Sequence, residues 1–174
     1  MNDIKLLKPT AAYSAEIMAF RQALLNANEE FAGCGSLRGC TSAYEWLATL
    51  AAHEKEETYP EGSVPSSSSI AVRLPDNKIV GIIDFRHHIN HPILSTWGGH
   101  MGYTVRPDER RKGYAKEMLR QNLENCKRHG LEKVLITCDH ENIASEKTIV
   151  ANGGKFEKEA EADGRKYKRY WILL

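Results

Sequence analysis

Apolar residues recur at helical spacing in several segments of the chain. The first segment predicts an amphipathic helix over residues 11–30, with an apolar face of Tyr13, Ile17, Phe20 and Leu24. Ser42 and Glu45 form a capping-box signature, which predicts the start of a second helix. A third helix is predicted after Gly113 and stops at His129 and Gly130; its apolar face consists of Ala115, Met118, Leu119, Leu123 and Cys126.

Short runs rich in β-branched residues alternate with these helices and predict strands. The predicted strands cover residues 4–7, 70–74, 79–87, 97–105 and 134–138. A short helix opened by Asn142 follows, and the chain closes with a hairpin pattern over 155–160 and 167–174. The polar segment 53–69 contains four consecutive serines, and it predicts a mobile loop or lid rather than a strand.

Composition limits the class of protein. The 174 residues suit a single domain, spanning 1–174, with a core of its own. The net charge of +1 argues against broad nucleic-acid binding, which depends on released counterions. The chain contains no apolar run long enough to span a membrane and no apolar secretion signal at its start, so we expect a cytoplasmic protein without membrane partners.

Four cysteines do not predict a metal site or a disulfide framework. Cys34 and Cys40 do not have Cys-x-x-Cys spacing, and a disulfide between them is disfavoured in a cytoplasmic protein. Cys126 and Cys138 fall on a predicted apolar helix face and in a predicted buried strand, where a free thiol behaves as a small hydrophobe. We therefore expect structural cysteines and no bound metal.

The segment from Tyr103 to Ala115 predicts an anion site. A strand ends at Pro107, a basic turn follows, and a helix begins after Gly113. The first N–H groups of a helix lack intrahelical partners and carry partial positive charge, so they bind phosphates well. Arg110, Arg111 and Lys112 add formal charge beside them, and Gly113 permits close backbone approach. A polyphosphate ligand is predicted, although a solvated basic helix start would show the same residues.

Arg110-x-x-Gly113-x-Ala115, after Val105-Arg106-Pro107, resembles the pyrophosphate loop of the GCN5-related N-acetyltransferases (GNAT). The order of strands and helices in the second half is also similar. Several further segments resemble a bacterial group of predicted acetyltransferases: residues 86–88, 98–103, 137–139, 142–145 and 169–172. The resemblance implies an α/β (α+β) fold with a mixed, mostly antiparallel sheet of six to seven strands. It also implies a splay between strands four and five, and about four flanking helices.

The resemblance further implies that acetyl-CoA is the cosubstrate. By analogy with the family, the backbone of Tyr103, Thr104 and Val105 pairs with the pantetheine arm, and Asn142 hydrogen-bonds the same arm. Ser145 and Lys147 lie near the phosphate end or wall of the cofactor site. The expected pyrophosphate loop comprises Arg110, Arg111, Lys112, Gly113, Tyr114 and Ala115.

The implied reaction is direct attack of an amine on the thioester. The backbone N–H of Thr104 or Val105 would polarise the carbonyl group. Many family members carry a tyrosine as general acid seven residues after the helix asparagine, but Ile149 occupies that position. Tyr170, Tyr167 or a water would have to replace it. His100 and Arg86 are the leading candidates for handling the amine proton, because histidine titrates near neutral pH.

Three functions stay open at this point. The first is an N-acetyltransferase acting on a primary amine of a small molecule or peptide. The second is a catalytically silent CoA-binding module, suggested by Ile149. The third is a binder of nucleic acid or phosphorylated ligands through Arg110, Arg111 and Lys112, which the near-neutral charge disfavours. Family members often dimerise, so a homodimer is one expectation.

Overall fold

The structure is a computed structural model that describes residues 3–174. It contains seven strands and four α-helices, with short helical turns between them. Their order is β1 (Ile4–Leu7), α1 (Ser14–Asn26), α2 (Ala43–His53), β2 (Ser66–Arg73), β3 (Lys78–Arg86), β4 (Tyr103–Val105), α3 (Tyr114–Arg128), β5 (Lys133–Asp139), α4 (Ile143–Ala151), β6 (Lys155–Ala162) and β7 (Arg165–Leu173). None of the helices in the described part of the chain is long and apolar enough to cross a membrane.

The strands form two antiparallel groups that meet at a gap. One sheet has the order β1-β2-β3-β4 and the other has the order β5-β7-β6. Within residues 3–174, β4 and β5 share no strand pairing, so the predicted splay between the fourth and fifth strands is present. The α+β class, the seven strands and the four flanking helices are confirmed.

Two apolar cores lie on opposite faces of the first sheet. Alternation along β3 divides its side chains between them, with Ile83 and Phe85 on one face and Ile82 on the other. The first core joins β3 to α3, α4 and the second sheet, through Met118, Leu119, Ile136, Ile149 and Tyr170 among others. The second core lies beneath α1 and α2, and it includes Ile17, Phe20, Leu24 and Trp46.

The predicted lid is partly wrong. Its four serines belong to β2 and pair with the end of β3, from Ser66 opposite Arg86 to Ser69 opposite Ile83. The backbone pairs with its neighbour whatever the side chains are, and the Ser67 hydroxyl also contacts His87 Nε2 at 2.8 Å. The irregular connection is therefore confined to residues 54–65, between α2 and β2.

The predicted strand over 97–105 is shorter than expected. Its first residues belong to a helical turn, Leu94–Gly98, which packs on the second sheet, where Arg169 donates to the Ser95 carbonyl at 2.6 Å. Gly99 follows with a φ of 67°, so an extended strand cannot run through this point. Only Tyr103–Val105 is paired as a strand with β3.

Helix and strand ends differ from the pattern in smaller ways. The helix predicted over 11–30 begins with a turn at Ala11–Tyr13 and ends at Asn26, before Asn28 with its φ of 52°. The capping role of Ser42 is confirmed, since its side chain accepts the Glu45 N–H at 3.3 Å. The Glu45 carboxylate accepts the Thr41 N–H rather than that of Ser42.

Candidate functional site

His100 closes one end of the gap between the two sheets. Its backbone N–H donates to the Leu135 carbonyl at 2.7 Å, and its Nδ1 accepts the Leu135 N–H at 2.8 Å. Beyond this contact β4 and β5 separate. The gap is therefore a wedge with a closed end at His100 and an open end beside the turn that leads into α3.

The register of β4 shows which backbone groups face the gap. Thr104 lies opposite Ile82, the Arg106 N–H donates to the Val80 carbonyl, and the Gly102 carbonyl accepts the Asp84 N–H. Even-numbered residues thus bond to β3, and alternation directs the N–H and C=O groups of Tyr103 and Val105 toward the gap. The Tyr103 N–H and C=O groups and the Val105 N–H make no hydrogen bond within residues 3–174, whereas the Val105 carbonyl accepts from Arg110 Nε at 3.4 Å. This largely unpaired strand edge can bind an extended chain containing amides.

Thr104 does not fit its predicted role. Its backbone is directed to β3, and its buried hydroxyl donates to the Ala32 carbonyl at 2.7 Å. The contact holds the segment after α1 against β4. Gly33 lies so close to β4 that a Cβ atom there would fall 2.1 Å from the Gly102 carbonyl oxygen. Thr104 therefore shapes one wall of the site, while Tyr103 and Val105 supply the backbone groups that face the gap.

Two hydroxyl groups bridge the gap from β4 to α4. The Tyr103 hydroxyl and Ser145 Oγ lie 2.7 Å apart. Burial raises the pKa of Tyr103 to about 12, so the phenol is protonated at neutral pH. Asn142 caps α4, because its Oδ1 accepts the Ser145 N–H at 3.1 Å, and its Nδ2 has no partner within residues 3–174. Lys147 is exposed on the next turn of α4.

The turn before α3 has the features of an anion site. Gly113 is the N-cap, with a φ of 84° and no side chain to satisfy the first N–H groups of the helix. In the described chain, the N–H groups of residues 113–116 donate no hydrogen bond. A Cβ atom at Gly113 would meet no atom within 4 Å, so the space before these donors is open. An anion can approach them directly.

The three consecutive cations of this turn have different surroundings. Arg110 Nη1 lies 2.8 Å from Glu29 Oε1, and Lys112 Nζ lies 2.6 Å from Glu109 Oε2. Arg111 has a φ of 62° and, among residues 3–174, its guanidinium has no carboxylate partner. Arg111 therefore supplies the least compensated positive charge beside the free N–H groups.

Glu109 fastens this turn to the rest of the first sheet. Its side chain is only 5% exposed and contacts Arg73, Lys78 and Lys112 at 2.6–2.8 Å. Burial opposes ionisation of Glu109, but the hydrogen bonds from Lys112, Lys78 and Arg73 outweigh it and lower its pKa to about 2. The turn is thus tied to the β2–β3 hairpin.

Tyr114 and Ala115 contribute backbone rather than side chains to this turn. The Tyr114 ring is buried in the core, and its hydroxyl accepts from Arg73 Nη1 at 3.3 Å and donates to Asp3 Oδ2 at 3.4 Å. Ala115 follows in the first turn of α3. Tyr114 and Ala115 can therefore contact a ligand only through their backbone N–H groups.

The predicted catalytic side chains are not all brought to the gap. His100 is 5% exposed, and burial lowers its pKa to about 4. Because Nδ1 accepts the Leu135 N–H, the neutral ring carries its proton on Nε2 and has no free lone pair. This is the geometry of a structural histidine rather than of a general base. Arg86 lies near Asp84, with Nη2 3.6 Å from Oδ2.

The tyrosines proposed as acids also have other partners. Tyr170 donates to Glu146 on α4, and burial together with this contact raises its pKa. Tyr167 stacks on Trp97 with ring centroids 5.2 Å apart. Ile149 is fully buried in the first core, so the position of the usual family tyrosine is filled by a packing residue. The Tyr103 and Ser145 hydroxyl groups, by contrast, meet across the gap.

Sequence reasoning did not select two buried carboxylates that the structure connects to the site. Glu109 organises the basic turn, and Asp84 accepts the Gly102 N–H at 2.8 Å. The available signal was the position of each residue. Asp84 is an acid within an otherwise apolar strand, and Glu109 is an acid inside a basic loop. Such acids are retained in buried positions only when they are paired.

The sequence matches a known protein family, and the fold matches solved structures. A family model described as "Acetyltransferase (GNAT) domain" matches residues 8–155. The microcin self-immunity acetyltransferase MccE, solved with acetyl-CoA and AMP, is 17% identical with a TM-score of 0.70, over 100% of this chain and 94% of that one. The ribosomal alpha-N-protein acetyltransferase RimL, solved with coenzyme A, is 17% identical with a TM-score of 0.69, over 100% and 96%.

A third solved structure is an acetyltransferase from Salmonella typhimurium that modifies the N-terminal serine of a 50S ribosomal subunit protein. It is 15% identical, with a TM-score of 0.67, and the match covers 100% of this chain and 96% of that one. At these identities the likeness concerns the fold. No curated protein matches the sequence.

Proposed function

The chain belongs to the GNAT acetyltransferase family, and we propose that it acetylates a primary amine of a small molecule or peptide. It is an acetyl-CoA-dependent N-acetyltransferase. The observation that carries the proposal is the wedge between β4 and β5, whose open end lies beside the unpaired N–H groups of α3. This site fits a ligand with a pyrophosphate at one end and an amide-containing arm at the other.

The α3 terminus is proposed to hold the pyrophosphate. The N–H groups of residues 113–116 and the Arg111 guanidinium supply the donors. Arg110 and Lys112 add positive charge, and their ion pairs with Glu29 and Glu109 stabilise the turn. Glu109 supports this arrangement by tying Lys112 to Lys78 and Arg73. Lys147, on the exposed face of α4, is proposed to lie near the same end of the ligand.

The gap is proposed to hold the pantetheine arm. Tyr103 and Val105 direct their N–H and C=O groups into it, and Asn142 Nδ2, which has no partner among the described residues, is a further donor on the α4 side. Acetyl-CoA supplies a thioester whose carbonyl carbon an amine can attack. A backbone N–H of β4 is proposed to polarise that carbonyl, with Tyr103 or Val105 as the donor because Thr104 is directed to β3.

The Tyr103–Ser145 pair is proposed to protonate the departing thiolate. Its two hydroxyl groups bridge the gap, and a phenol with a pKa of about 12 keeps its proton at neutral pH. The hydrogen bond between them would let the proton given up by one hydroxyl be restored through the other. This pair takes the place of the tyrosine that Ile149 replaces.

A free peptide α-amine is a reasonable first acceptor to test. RimL and the Salmonella enzyme share this fold, and both act on the N-terminus of a ribosomal protein. A small-molecule amine is the second class of acceptor, because MccE has the same fold and confers immunity to a microcin.

We also propose a single catalytic domain, a cytoplasmic location and a homodimer. The chain is proposed to act as one catalytic domain, since one core joins both sheets through α3 and α4. A cytoplasmic location is supported by four buried free cysteines, which suit a reducing compartment. A homodimer is supported by apolar side chains exposed on α4 and β6, such as Val150 and Phe156.

Release of CoA thiol on addition of an amine tests the proposal. Wild-type protein would be incubated with acetyl-CoA and either a tripeptide with a free N-terminus or its N-acetylated form. Release with the free peptide and none with the blocked one supports the activity. Acetyl-CoA binding without amine-dependent release, across peptide and small-molecule amines, would instead indicate a catalytically silent CoA-binding module.

A further inference from the structure

Asp84 is a buried carboxylate on β3, next to the residue that precedes β4. It lies in β3 between apolar residues and is 8% exposed. Its Oδ1 accepts the Gly102 N–H at 2.8 Å, and its Oδ2 lies 3.6 Å from Arg86 Nη2. Burying a carboxylate in a strand is costly, and groups in such surroundings are often functional.

The Asp84 side chain replaces one backbone acceptor in the pairing of β3 with β4. The Asp84 N–H donates to the Gly102 carbonyl, so a regular antiparallel ladder would return the Gly102 N–H to the Asp84 carbonyl. That carbonyl instead accepts from Asn122 Nδ2 at 3.1 Å, and the Gly102 N–H goes to the Asp84 carboxylate. The carboxylate thus touches the residue that directly precedes Tyr103.

This contact places Asp84 near the proposed reaction centre. Asp84 Oδ1 lies 2.8 Å from the Gly102 nitrogen, and adjacent Cα atoms in a chain are about 3.8 Å apart. The carboxylate is therefore close to the backbone of Tyr103, the next residue. Alternation along β3 puts Asp84 on the face of Ile82, toward α1 and α2. The Tyr103–Ser145 pair lies on the α4 side. Asp84 and the Tyr103–Ser145 pair therefore lie on opposite faces of the first sheet, next to the same short segment of β4.

Among residues 3–174, Asp84 forms one ion pair, with Arg86. Cys34 on the α1–α2 connection and Cys126 on α3 are neutral thiols, because burial, and to a lesser degree the Asp84 charge, raises the pKa of each, that of Cys126 to about 12. Burial lowers the pKa of His100 to about 4, so that ring is neutral. Arg86 is the charged partner, and at 3.6 Å it does not occupy Oδ2 with a hydrogen bond.

We propose that Asp84 is the general base of the reaction, taking the proton of the acceptor amine directly or through one water. The inference rests on the proposed function. The amine nitrogen forms a bond to the thioester carbonyl carbon, and the C–S bond breaks. The proton lost from nitrogen goes to Asp84 Oδ2 and then to solvent, and the thiolate receives a proton from the Tyr103–Ser145 pair. The products are the acetylated amine and CoA thiol.

The test compares wild-type protein with Asp84→Asn, using glycinamide as the amine. The amide oxygen of Asn can still accept the Gly102 N–H, but the side chain cannot take a proton. The proposal predicts acetyl-CoA binding within about twofold of wild type and a kcat lower by about 100-fold, the usual size of a general-base effect. Raising the pH should restore much of the variant's rate, because the free amine then needs no base. Asp163→Asn, in the β6–β7 turn, is the matched control.

Each outcome decides a different point. An unchanged kcat in Asp84→Asn overturns the inference, and so does a parallel loss of acetyl-CoA binding, which would make Asp84 only a support for Gly102. Failure of wild-type protein to bind acetyl-CoA or to use any amine overturns the proposed function itself. Should the variant not fold, carbon NMR of labelled aspartate in the wild-type protein decides. The Asp84 carboxyl must titrate together with the acidic limb of kcat, and a mismatch overturns the inference.

Discussion

His100 and Leu135 exchange two hydrogen bonds across the junction between the two sheets. The His100 N–H donates to the Leu135 carbonyl at 2.7 Å, and Nδ1 of the ring accepts the Leu135 N–H at 2.8 Å. A side-chain nitrogen thus takes the place of a backbone carbonyl in what would otherwise be strand pairing. The contact fixes where β4 and β5 begin to separate, and so where the gap ends.

Replacement of His100 should therefore reduce stability. His100→Leu leaves the buried Leu135 N–H without an acceptor, which costs about 1–3 kcal/mol of the free energy of unfolding. His100→Asn is the matched control, because its Oδ1 occupies nearly the position of Nδ1 and can accept the same bond. Urea denaturation of both variants measures the difference. Equal losses would show that the hydrogen bond to Leu135 contributes little.

Stability should fall as the pH drops from about 6.5 toward 4. Burial lowers the pKa of His100 to about 4, and burial with the nearby His129 does the same for His87. In this window the unfolded histidines, with a pKa near 6.5, bind protons that the folded ones do not, so acid favours unfolding. The buried His100 accounts for up to about 3 kcal/mol of this loss at about 1.4 kcal/mol per pKa unit.

Denaturant unfolding of wild type and His100→Asn at pH 7 and pH 5 measures this effect. The loss between the two pH values should be smaller in the variant, which has no imidazole at this position. An equal loss in the two proteins would assign the pH dependence to other groups.

Arg111 should matter more for acetyl-CoA binding than its neighbour Lys112. Arg111 has no carboxylate partner in the described structure, whereas Lys112 is held by Glu109. Loss of one charge-assisted hydrogen bond to a phosphate should weaken binding by about tenfold in Arg111→Gln, and by clearly less in Lys112→Gln.

Calorimetric titration at low and high salt distinguishes the two variants. Arg120→Gln is the control, because Arg120 pairs with Glu117 on the outer face of α3. Equal weakening by Arg111→Gln and Lys112→Gln would mean that the Glu109 contact does not withhold Lys112 from the ligand.

Removal of either hydroxyl of the Tyr103–Ser145 pair should slow turnover. Ser145→Ala and Tyr103→Phe each remove one member of the pair that bridges the gap. A decrease of about 10- to 100-fold in kcat is expected, with little change in the KM for acetyl-CoA, because a general acid acts in the transition state. Thr148→Ala, on the same helix, is the control. A rise in KM with unchanged kcat would assign the pair to cofactor binding alone.

The second half of the chain was predictable because its signals are local. The apolar face of α3, the β-branched run of β5, the Asn142 cap and the terminal hairpin each depend on neighbouring residues, and all are present. The turn at Gly113 was predictable for the same reason, since its positive φ and free N–H groups follow from glycine before a helix.

Long-range pairing was not predictable from one sequence. The serines of β2 carry no strand signal, and they form a strand because β3 offers a partner edge. The backbone of Thr104 pairs with β3, and the His100 ring accepts the Leu135 N–H. Both contacts depend on the register between strands, which no local sequence pattern encodes. The roles of Asp84 and Glu109 likewise depend on partners 18 and 31–36 residues away.

The central claim is that the α3 terminus binds the pyrophosphate of acetyl-CoA, and calorimetric titration of wild type and Gly113→Glu tests it most directly. The structure leaves open space beside Gly113, so an acidic side chain there would occupy the anion site and repel phosphate. Gly113→Ala separates the cost of the positive φ from that of the charge. The account predicts saturable wild-type binding, retained at least in part by Gly113→Ala and lost in Gly113→Glu. Wild-type affinity in Gly113→Glu, or no binding by the wild-type protein, would contradict it.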